Sequence, residues 1–332
     1  MAKDKVNFDS LYLSAFKVEE KTNKAPDIRA SSMPFCPKKF LFKFYEFLDN
    51  GSRWNFFGDF YCDIGTSIHS TVQKWVPLAS PGYMLGDWYC RKCKRIVACS
   101  VGPLPCPNCG TLMSYQEFSL KFLDAPITGH CDGVLIDKLF VLEWMKKSSR
   151  YKKLLSKSGE IVALNQLIHS REKIKIPAWV LELKSTGIYN AKSITQPSTS
   201  HMAQSTIYTS GLKKILPYRF DIHTIKVKGY LIKYISRDNP RVRSKDLKKR
   251  VKDDGFYYLT CKMVNILFDS FKTLKVKKLH RTSPCKQLPE IYKDCAYDSM
   301  CEETSKKELR KILKKVRRHF KKSKQIEFNL FG

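Results

Sequence analysis

Four cysteines between residues 86 and 112 constrain the fold more tightly than any other feature of the sequence. They form two Cys-x-x-Cys pairs, separated by twelve residues, at Cys90, Cys93, Cys106 and Cys109. Each pair can present two thiolates to one ion from a tight knuckle, and two knuckles complete a tetrahedral site. The spacing therefore predicts a zinc ribbon over residues 86–112. Because no ligand position is left open, the predicted zinc ion is structural.

The charge balance of the chain indicates a polyanionic partner. Lys and Arg number 61 against 31 Asp and Glu, which gives a net charge of +30 over 332 residues. This excess is far larger than solubility requires, and DNA or another nucleic acid is the simplest partner that explains it. A general lysine bias of the source proteome is the alternative interpretation.

Secretion and membrane insertion are disfavoured by the distribution of apolar residues. The N-terminal stretch MAKDKVNFDS has no apolar segment, and no apolar run in the sequence approaches membrane-spanning length. We therefore expect a soluble, cytoplasmic protein that is not secreted and has no membrane partner. In such a reducing compartment, the twelve cysteines favour metal ligation over disulfides.

Periodic patterns predict an α/β domain in which helices flank a few central strands. Residues 1–28 are polar and are predicted to be peripheral. The predicted helices cover residues 31–48, 65–75, 199–215, 256–279 and 305–322. Strands are predicted over residues 127–136 and 177–185, and a strand or a hairpin over residues 223–238.

The predicted strand PAWVLELKSTG carries two charges in an otherwise apolar run. Glu182 and Lys184 are two residues apart, so their side chains share one face of the strand. Asp132, in GHCDGVL, supplies a second carboxylate, and Gly129 and Gly133 beside it allow the backbone to turn closely. A Mg²⁺- or Mn²⁺-dependent phosphodiesterase needs such hard oxygen ligands, and it needs a cation that offsets phosphate charge.

The order of these residues resembles the PD-(D/E)XK nuclease superfamily, and in particular its RecB-like branch. GTSIH places Gly65 and His69 as in the Gly-x-x-x-His helix of that branch, and QSTIY places Gln204 and Tyr208 as in its Gln-x-x-x-Tyr motif. SSMPFCPKKFLF resembles its opening Ser…Cys-Pro-(Arg/Lys)-x-Phe segment. Taken singly, His69 can be a core residue, and Gln204 and Tyr208 can be a pair on the surface of a helix. Taken in order with the aspartate and Glu-x-Lys, the motifs span about residues 30–301.

The resemblance implies a restriction-endonuclease-like core with a mixed central sheet, and it implies a metal site. Asp132 and Glu182 would hold the catalytic Mg²⁺ or Mn²⁺, with the carbonyl of Leu183 as a further oxygen ligand. His69 would add a nitrogen ligand, which suits Mn²⁺.

The implied activity is that of a DNA nuclease. Lys184 would polarise the scissile phosphate or position the attacking water, while Gln204 and Tyr208 would steady Lys184 and the nucleic-acid backbone. Many relatives are exonucleases on single-stranded or resected DNA, which indicates a role in replication, recombination or repair. A helicase or recombination partner would be a separate chain. The alternative is an accessory factor of replication or transcription that uses the nuclease fold and zinc ribbon without cleavage.

One departure from the family pattern concerns the link between the two carboxylates. Asp132 and Glu182 are separated by 49 residues, more than the short strand–turn–strand link usual in the family. The lysine-rich residues 144–176 are therefore predicted to be an insertion. They would form either an arm that grips DNA or a solvated loop.

A second cysteine set resembles the [4Fe–4S] ligands of AddB-like nucleases and of the RecB-like nucleases of CRISPR adaptation. In those proteins one cysteine precedes the catalytic core and three follow it. Cys36 fits the first position, and Cys295 and Cys301 fit the last pair. The middle ligand normally stands where this chain has Tyr292, so Cys285 is the nearest candidate. A Cys₄ zinc site and buried, inert thiols are the alternatives.

A basic helix is predicted after the nuclease domain, which we place at residues 29–301. The helix, within residues 302–324, would begin with a capping box formed by Ser305 and Glu308. Its other face is almost wholly Lys and Arg and suits a phosphate backbone. Its apolar stripe consists of Leu309, Ile312, Leu313, Val316 and Phe320.

The last eight residues, QIEFNLFG at 325–332, resemble the sliding-clamp-binding peptide of bacterial and phage replication proteins. The resemblance implies a bacterial cell or a phage-infected host. Packing of the same residues on the protein's own core is the alternative. The clamp-binding positions would be Gln325, Phe328, Leu330 and Phe331.

Overall fold

The chain divides into two compact units, each built from segments that are discontinuous in sequence. In the computed structural model, the larger unit comprises Ile28–Pro34 and Ile68–Val264, and the smaller comprises Met1–Asp27, Phe35–Ser67 and Asn265–Gly332. The structure describes residues 21–22, 28–50, 52–53, 56–239, 241–282, 284–287 and 297–323.

The strands of the described residues are numbered in chain order. They are β1 (Lys21–Thr22), β2 (Ser52–Arg53), β3 (Met84–Tyr89), β4 (Ile96–Val101), β5 (Ser114–Gln116), β6 (Phe118–Lys121), β7 (Thr128–Cys131), β8 (Gly133–Ile136), β9 (Ile176–Thr186), β10 (Ile225–Ser236) and β11 (Leu247–Arg250).

The α-helices are numbered in the same way, and a short 3₁₀ turn at Ala30–Ser32 precedes them. Across the residues that the structure describes, no helix combines the length and the apolar character that crossing a bilayer requires. The helices are α1 (Pro37–Asn50), α2 (Phe56–Ala79), α3 (Lys138–Lys147), α4 (Ser149–Ser158), α5 (Glu160–Ile168), α6 (Ile188–Ser193), α7 (Thr199–Phe220), α8 (Gly255–Thr273), α9 (Lys277–Arg281), α10 (Pro284–Gln287), α11 (Asp298–Glu303) and α12 (Lys306–Ser323).

The larger unit is organised around a seven-stranded mixed sheet. Its order is β11-β10-β9-β8-β3-β4, and β5 also pairs with β3. Strands β9 and β10 are parallel, whereas the other pairs in the sheet are antiparallel. The predicted α/β class is therefore confirmed, as a mixed and mostly antiparallel sheet with helices around it. Strand β9 has neighbours on both sides, so the Glu-x-Lys motif lies in the interior of the sheet.

The predicted strand over residues 127–136 is two strands that separate at Asp132. Strand β7 pairs with β6 in a two-stranded sheet, whereas β8 joins the large sheet between β9 and β3. The glycines on either side permit close packing: a Cβ on Gly129 would lie 2.7 Å from the Tyr208 ring, and a Cβ on Gly133 would lie 2.5 Å from Met84. Asp132 is thus held at a junction between two sheets.

The helical predictions are correct in type, and the two that differ most in extent are those over residues 65–75 and 256–279. Helix α2 extends well beyond the predicted 65–75. The predicted helix over 256–279 is divided into α8 and α9 at Leu274, whose φ of 57° places it in the left-handed region. The predicted insertion is helical and begins earlier, because Asp137 caps α3 by accepting a hydrogen bond from the Phe140 amide.

In the smaller unit, the capping box predicted for the C-terminal helix is present. Glu308 Oε2 accepts hydrogen bonds from the Ser305 amide (2.8 Å) and hydroxyl (2.7 Å), and the Glu308 amide donates to Ser305 Oγ (3.2 Å). Helix α12 packs on α1. The buried residues of its predicted stripe are Leu309, Ile312, Leu313 and Val316.

Candidate active site

Glu182 and Lys184 form an ion pair in the middle of the large sheet. Lys184 Nζ lies 2.6 Å from Glu182 Oε1, which confirms that the two side chains share a face of β9. Glu182 is 3% exposed. Its second oxygen, Oε2, is buried and has no hydrogen-bond partner among the residues that the structure describes. A buried carboxylate oxygen without a donor is costly, so this atom is a candidate ligand for a cation.

The environment of Glu182 raises the pKa of its carboxyl group to about 7. Burial is the largest cause, because desolvation disfavours the charged form. Lys184 opposes this change by charge and by hydrogen bonding, whereas the nearby charge of Asp132 adds to it. Two carboxylates that repel each other in a buried space constitute a site that a bound cation would stabilise.

Asp132 is tied to β9 and to helix α2 through different oxygens. Its Oδ2 accepts a 2.6 Å hydrogen bond from the Leu183 amide, and its Oδ1 lies 3.1 Å from His69 Nδ1. Asp132 is 5% exposed. The structure therefore brings together three residues of the predicted metal site: Asp132 beside β8, Leu183 on β9 and His69 on α2.

Helix α2 presents two residues to Asp132 from one face, four positions apart. The pKa of His69 is lowered by burial, but the hydrogen bond and charge of Asp132 outweigh this effect and raise it overall. Gln73 donates from Nε2 to Asp132 Oδ1 (3.2 Å) and to Glu117 Oε1 (3.0 Å). Sequence reasoning missed both Gln73 and Glu117. The spacing of Gln73 from His69 was an available signal, whereas no motif distinguishes Glu117.

Helix α7 holds Lys184 from the other side. Gln204 Oε1 accepts a hydrogen bond from Lys184 Nζ (3.1 Å), and Gln204 Nε2 donates to Tyr208 Oη (3.3 Å). The predicted pair at positions i and i+4 therefore lies on one helix face and reaches the predicted lysine. Gly129, under the Tyr208 ring, gives β7 the room for this contact.

Helix α7 also places His201, which sequence reasoning missed, beside Lys184. His201 Nδ1 lies 2.7 Å from Tyr234 Oη, and Tyr234 is the β10 partner of Lys184. Burial and then the charge of Lys184 lower the pKa of His201 to about 4. This histidine is therefore neutral at pH 7.

The donor set fits a divalent cation. A nitrogen of His69 and carboxylate oxygens of Glu117 and Asp132 lie within 4.8 Å of one another, and the unpartnered Glu182 oxygen belongs to the next strand. Carboxylate oxygens with one imidazole suit Mn²⁺ and, with water, Mg²⁺. This group differs from the predicted set of side chains, because it includes Glu117 and does not include Glu182.

The four ribbon cysteines form a second group of potential metal ligands. The Sγ atoms of Cys90, Cys93, Cys106 and Cys109 lie within 4.8 Å of one another. A tetrahedron of Zn–S bonds of ~2.3 Å places its sulfurs about 3.8 Å apart, and the Sγ atoms of Cys90 and Cys109 are 3.6 Å apart. The donor set therefore fits a tetrahedral thiolate site, for zinc or for an iron–sulfur group.

The two knuckles have matching backbone geometry. The Cys90 amide donates to the Arg95 carbonyl and the Cys106 amide donates to the Thr111 carbonyl, each at 2.8 Å. The residue after the second cysteine has positive φ in each knuckle, at Lys94 (59°) and Gly110 (70°). Repetition of one turn on both sides of the cluster is what brings two Cys-x-x-Cys pairs to a common point.

The other predicted cysteine ligands lie in the smaller unit. Cys36, Cys285 and Cys301 are each half-buried, and Cys295 lies outside the described residues. The whole predicted clamp-binding tail, residues 325–332, also lies outside them.

Comparisons of the chain with protein-family models, with curated proteins and with solved structures found no match.

Proposed function

We propose that the protein is a metal-dependent DNA nuclease of the PD-(D/E)XK type, similar to the RecB-like branch. The observation that carries the proposal is the convergence of Asp132, Glu182 and Lys184 with His69 in one cluster, drawn from the junction of β7 and β8, from β9 and from α2. Metal-dependent phosphodiester cleavage requires acidic ligands, a cation for phosphate and restricted access of water.

His69, Asp132, Glu182 and Glu117 would hold Mg²⁺ or Mn²⁺, and the carbonyl of Leu183 would add an oxygen. When bound, such an ion polarises a phosphoryl oxygen and lowers the pKa of a coordinated water. The two strands next to Asp132 and Glu182, β8 and β9, pair directly, and hydrogen bonds tie Asp132 to the Leu183 amide and Glu117 to Gln73. The ligands are therefore positioned before substrate arrives.

Lys184 provides positive charge at the same place. Its ammonium lies between Glu182 Oε1 and Gln204 Oε1, which orient it without surrounding it. Since Lys has three donors, a phosphate oxygen can take the remaining one. Tyr208 fixes the amide of Gln204, so the helix acts as a support for the lysine.

The charge of the protein supports DNA as the substrate. The net charge is +30, and the inserted helices α3 and α4 add exposed cations close to one another in sequence. Such a surface raises the local concentration of a polyanion. The exposed basic residues of α3 and α4 are Lys146, Lys147, Arg150, Lys152, Lys153 and Lys157.

The decisive experiment is cleavage of end-labelled single-stranded, double-stranded and circular DNA with added Mn²⁺ or Mg²⁺. Release of mononucleotides from linear but not circular DNA would indicate an exonuclease. Binding of all three DNAs with no cleavage under either metal would contradict the proposal and favour an accessory factor. The matched control is Glu182→Gln, which keeps the shape of the side chain and removes its charge.

We also propose zinc for the ribbon and a [4Fe–4S] cluster for Cys36, Cys285, Cys295 and Cys301. A sample purified without oxygen should then be brown, and elemental analysis should find iron together with zinc. A colourless protein with zinc at both cysteine sets would replace the cluster by a second Cys₄ zinc site.

The tail provides a further proposal, the binding of a sliding clamp through Gln325, Phe328, Leu330 and Phe331. Tethering to a ring on DNA would raise the local substrate concentration without a new active-site contact. Deletion of residues 325–332 should abolish clamp capture and leave cleavage of short naked DNA unchanged. Unchanged capture would contradict the proposal.

A further inference from the structure

A pocket of about 490 Å³ opens between the C-terminal half of α2 and the zinc ribbon. Helix α2 contributes Gln73, Lys74 and Leu78, and the ribbon contributes Arg91 and Leu112. The volume falls in the range of ~300–1,000 Å³ that is usual for ligand sites.

The pocket shares a wall with the candidate active site. Gln73 lines it and donates to Asp132 Oδ1 at 3.2 Å. Tyr115 also lines it and donates from its hydroxyl to the Asp132 carbonyl at 3.0 Å. A molecule in this pocket would therefore lie one side chain away from the carboxylate that the proposed function places on the metal.

The lining combines apolar surface with positive charge. Leu112 is 55% exposed and Leu78 is 39% exposed, although both are large apolar residues. Lys74 and Arg91 are exposed beside them, and the lining residues include no carboxylate. Exposed apolar side chains next to cations can pack against a base while the cations bind its phosphate.

We propose that this pocket binds the single-stranded DNA segment adjoining the scissile phosphate. Bases pack against Leu78 and Leu112, and phosphates are bound by Lys74 and Arg91. The proposal rests on the proposed nuclease function for its location, since it takes the Asp132 cluster as the place of cleavage. It gives the zinc ribbon a second role as one wall of a substrate channel.

The test compares two pairs of variants in the full-length protein. Leu112→Asp is matched by Ile96→Asp, because Ile96 is another ribbon residue that is 55% exposed and lies outside the pocket. Arg91→Ala is matched by Lys92→Ala, an exposed neighbour that does not line it. Binding of a fluorescent oligothymidylate of about twelve nucleotides is measured by anisotropy without added Mg²⁺ or Mn²⁺.

We expect L112D to weaken oligothymidylate binding at least about tenfold, because it removes the apolar contact of a leucine and adds a negative charge facing the DNA. R91A should weaken it about threefold or more, whereas I96D and K92A should stay within about twofold of wild type. Equal binding by L112D and I96D overturns the proposal. Zinc content is measured for every variant, and Leu78→Asp on α2 replaces L112D if the ribbon loses zinc.

The same proteins are then assayed for cleavage with Mn²⁺. If the wild type binds through the pocket but never cleaves, the nuclease proposal fails, and only the binding of single-stranded DNA in the pocket stands. If the wild type cleaves, and L112D cleaves as well as I96D does, the proposal of DNA binding in the pocket fails and the nuclease proposal stands.

Discussion

At the scale of single residues, Glu182 combines burial with a carboxylate oxygen that has no partner among the described residues. It is buried in the centre of the large sheet, and only one of its two oxygens has a partner. The ion pair with Lys184 offsets part of the desolvation cost, as it does for other buried pairs. The other oxygen gains a partner only if a cation or a donor enters the site.

Glu182→Gln should therefore reduce cleavage by at least about 100-fold, which is the scale of losing a metal ligand. Single-stranded DNA binding should be unchanged. The melting temperature should change little, because Gln204 still binds Lys184. Glu143→Gln, an exposed acid on α3, is the control. Wild-type cleavage by E182Q would exclude Glu182 as a ligand.

Glu117 allows a sharper test, because it lies outside the family motifs. Glu117→Gln keeps an oxygen that can accept from Gln73 and removes only the charge. We expect Mn²⁺ affinity to fall about tenfold, measured by isothermal titration calorimetry in the full-length protein. Affinity equal to that of E143Q would mean that Glu117 only orients Gln73.

The pKa of His201 predicts how stability depends on pH. Its folded-state pKa of about 4 lies below the ordinary value of ~6.5, so between these values the unfolded chain binds a proton that the folded chain does not. The free energy of unfolding should fall as pH is lowered through this window, by at most about 1.4 kcal/mol per pH unit. Above it, His201 has no such effect.

His201→Gln should remove this contribution. Urea unfolding of both proteins at several pH values across the window measures it as a difference that grows toward acid. Parallel curves for the wild type and the variant would show that His201 is not the group responsible.

The residues that were predictable from sequence are those whose spacing has a geometric meaning. Glu182 with Lys184 follows from the period of a strand, and Gln204 with Tyr208 follows from the period of a helix. Glu117 was not predictable, because only tertiary packing through Gln73 brings it to Asp132.

At the scale of elements, the ribbon with the Cys₄ group is part of the sheet that carries the candidate site. Strand β3 leads into the first knuckle, pairs with β4 of the ribbon on one side, and pairs with β5 and β8 on the other. Asp132 immediately precedes β8. Order in the ribbon is therefore coupled to order in the carboxylate site through one shared strand.

Cys106→Ser should release the ribbon zinc and lower the melting temperature, since a structural zinc contributes directly to folding free energy. Cleavage at moderate temperature should also fall, because β3 loses its ribbon partners. Cys99→Ala is the control, since Cys99 is a buried cysteine between the knuckles that is not in the cluster. A variant C106S with full zinc content would contradict the assignment.

Element types were more predictable than element boundaries. Apolar periodicity identified the main helices and strands, but it did not predict the change of sheet at Asp132. That break follows from the packing of Tyr208 and Met84 against flanking glycines. The left-handed residue Leu274 similarly ends α8 at a place where the apolar stripe continues.

At the scale of the whole molecule, the net charge of +30 predicts strong dependence of DNA affinity on salt. Affinity for a single-stranded oligonucleotide should fall at least about 100-fold between roughly 50 and 200 mM salt if about five phosphates are contacted. Anisotropy titrations at several salt concentrations measure the slope. An affinity that does not change with salt concentration would show that the charge of the chain does not contribute to nucleic-acid binding.

The presence of an α/β unit with a Cys₄ group was predictable from the sequence as a whole. The division into two units was not, because each is assembled from segments far apart in the chain. Contacts between residues that are distant in sequence define these units, and local sequence patterns do not predict such contacts.

The insertion between the carboxylates leaves and re-enters the sheet at neighbouring points. The Asp137 amide donates to the Pro177 carbonyl at 2.9 Å, and Ile136 pairs with Ala178. The sheet thus closes a hairpin whose connecting loop has been replaced by helices. Since the entropic cost of closing a loop grows slowly with its length, this junction is suited to grafting: foreign domains of very different size could be inserted here while the spacing of the two carboxylates stays the same.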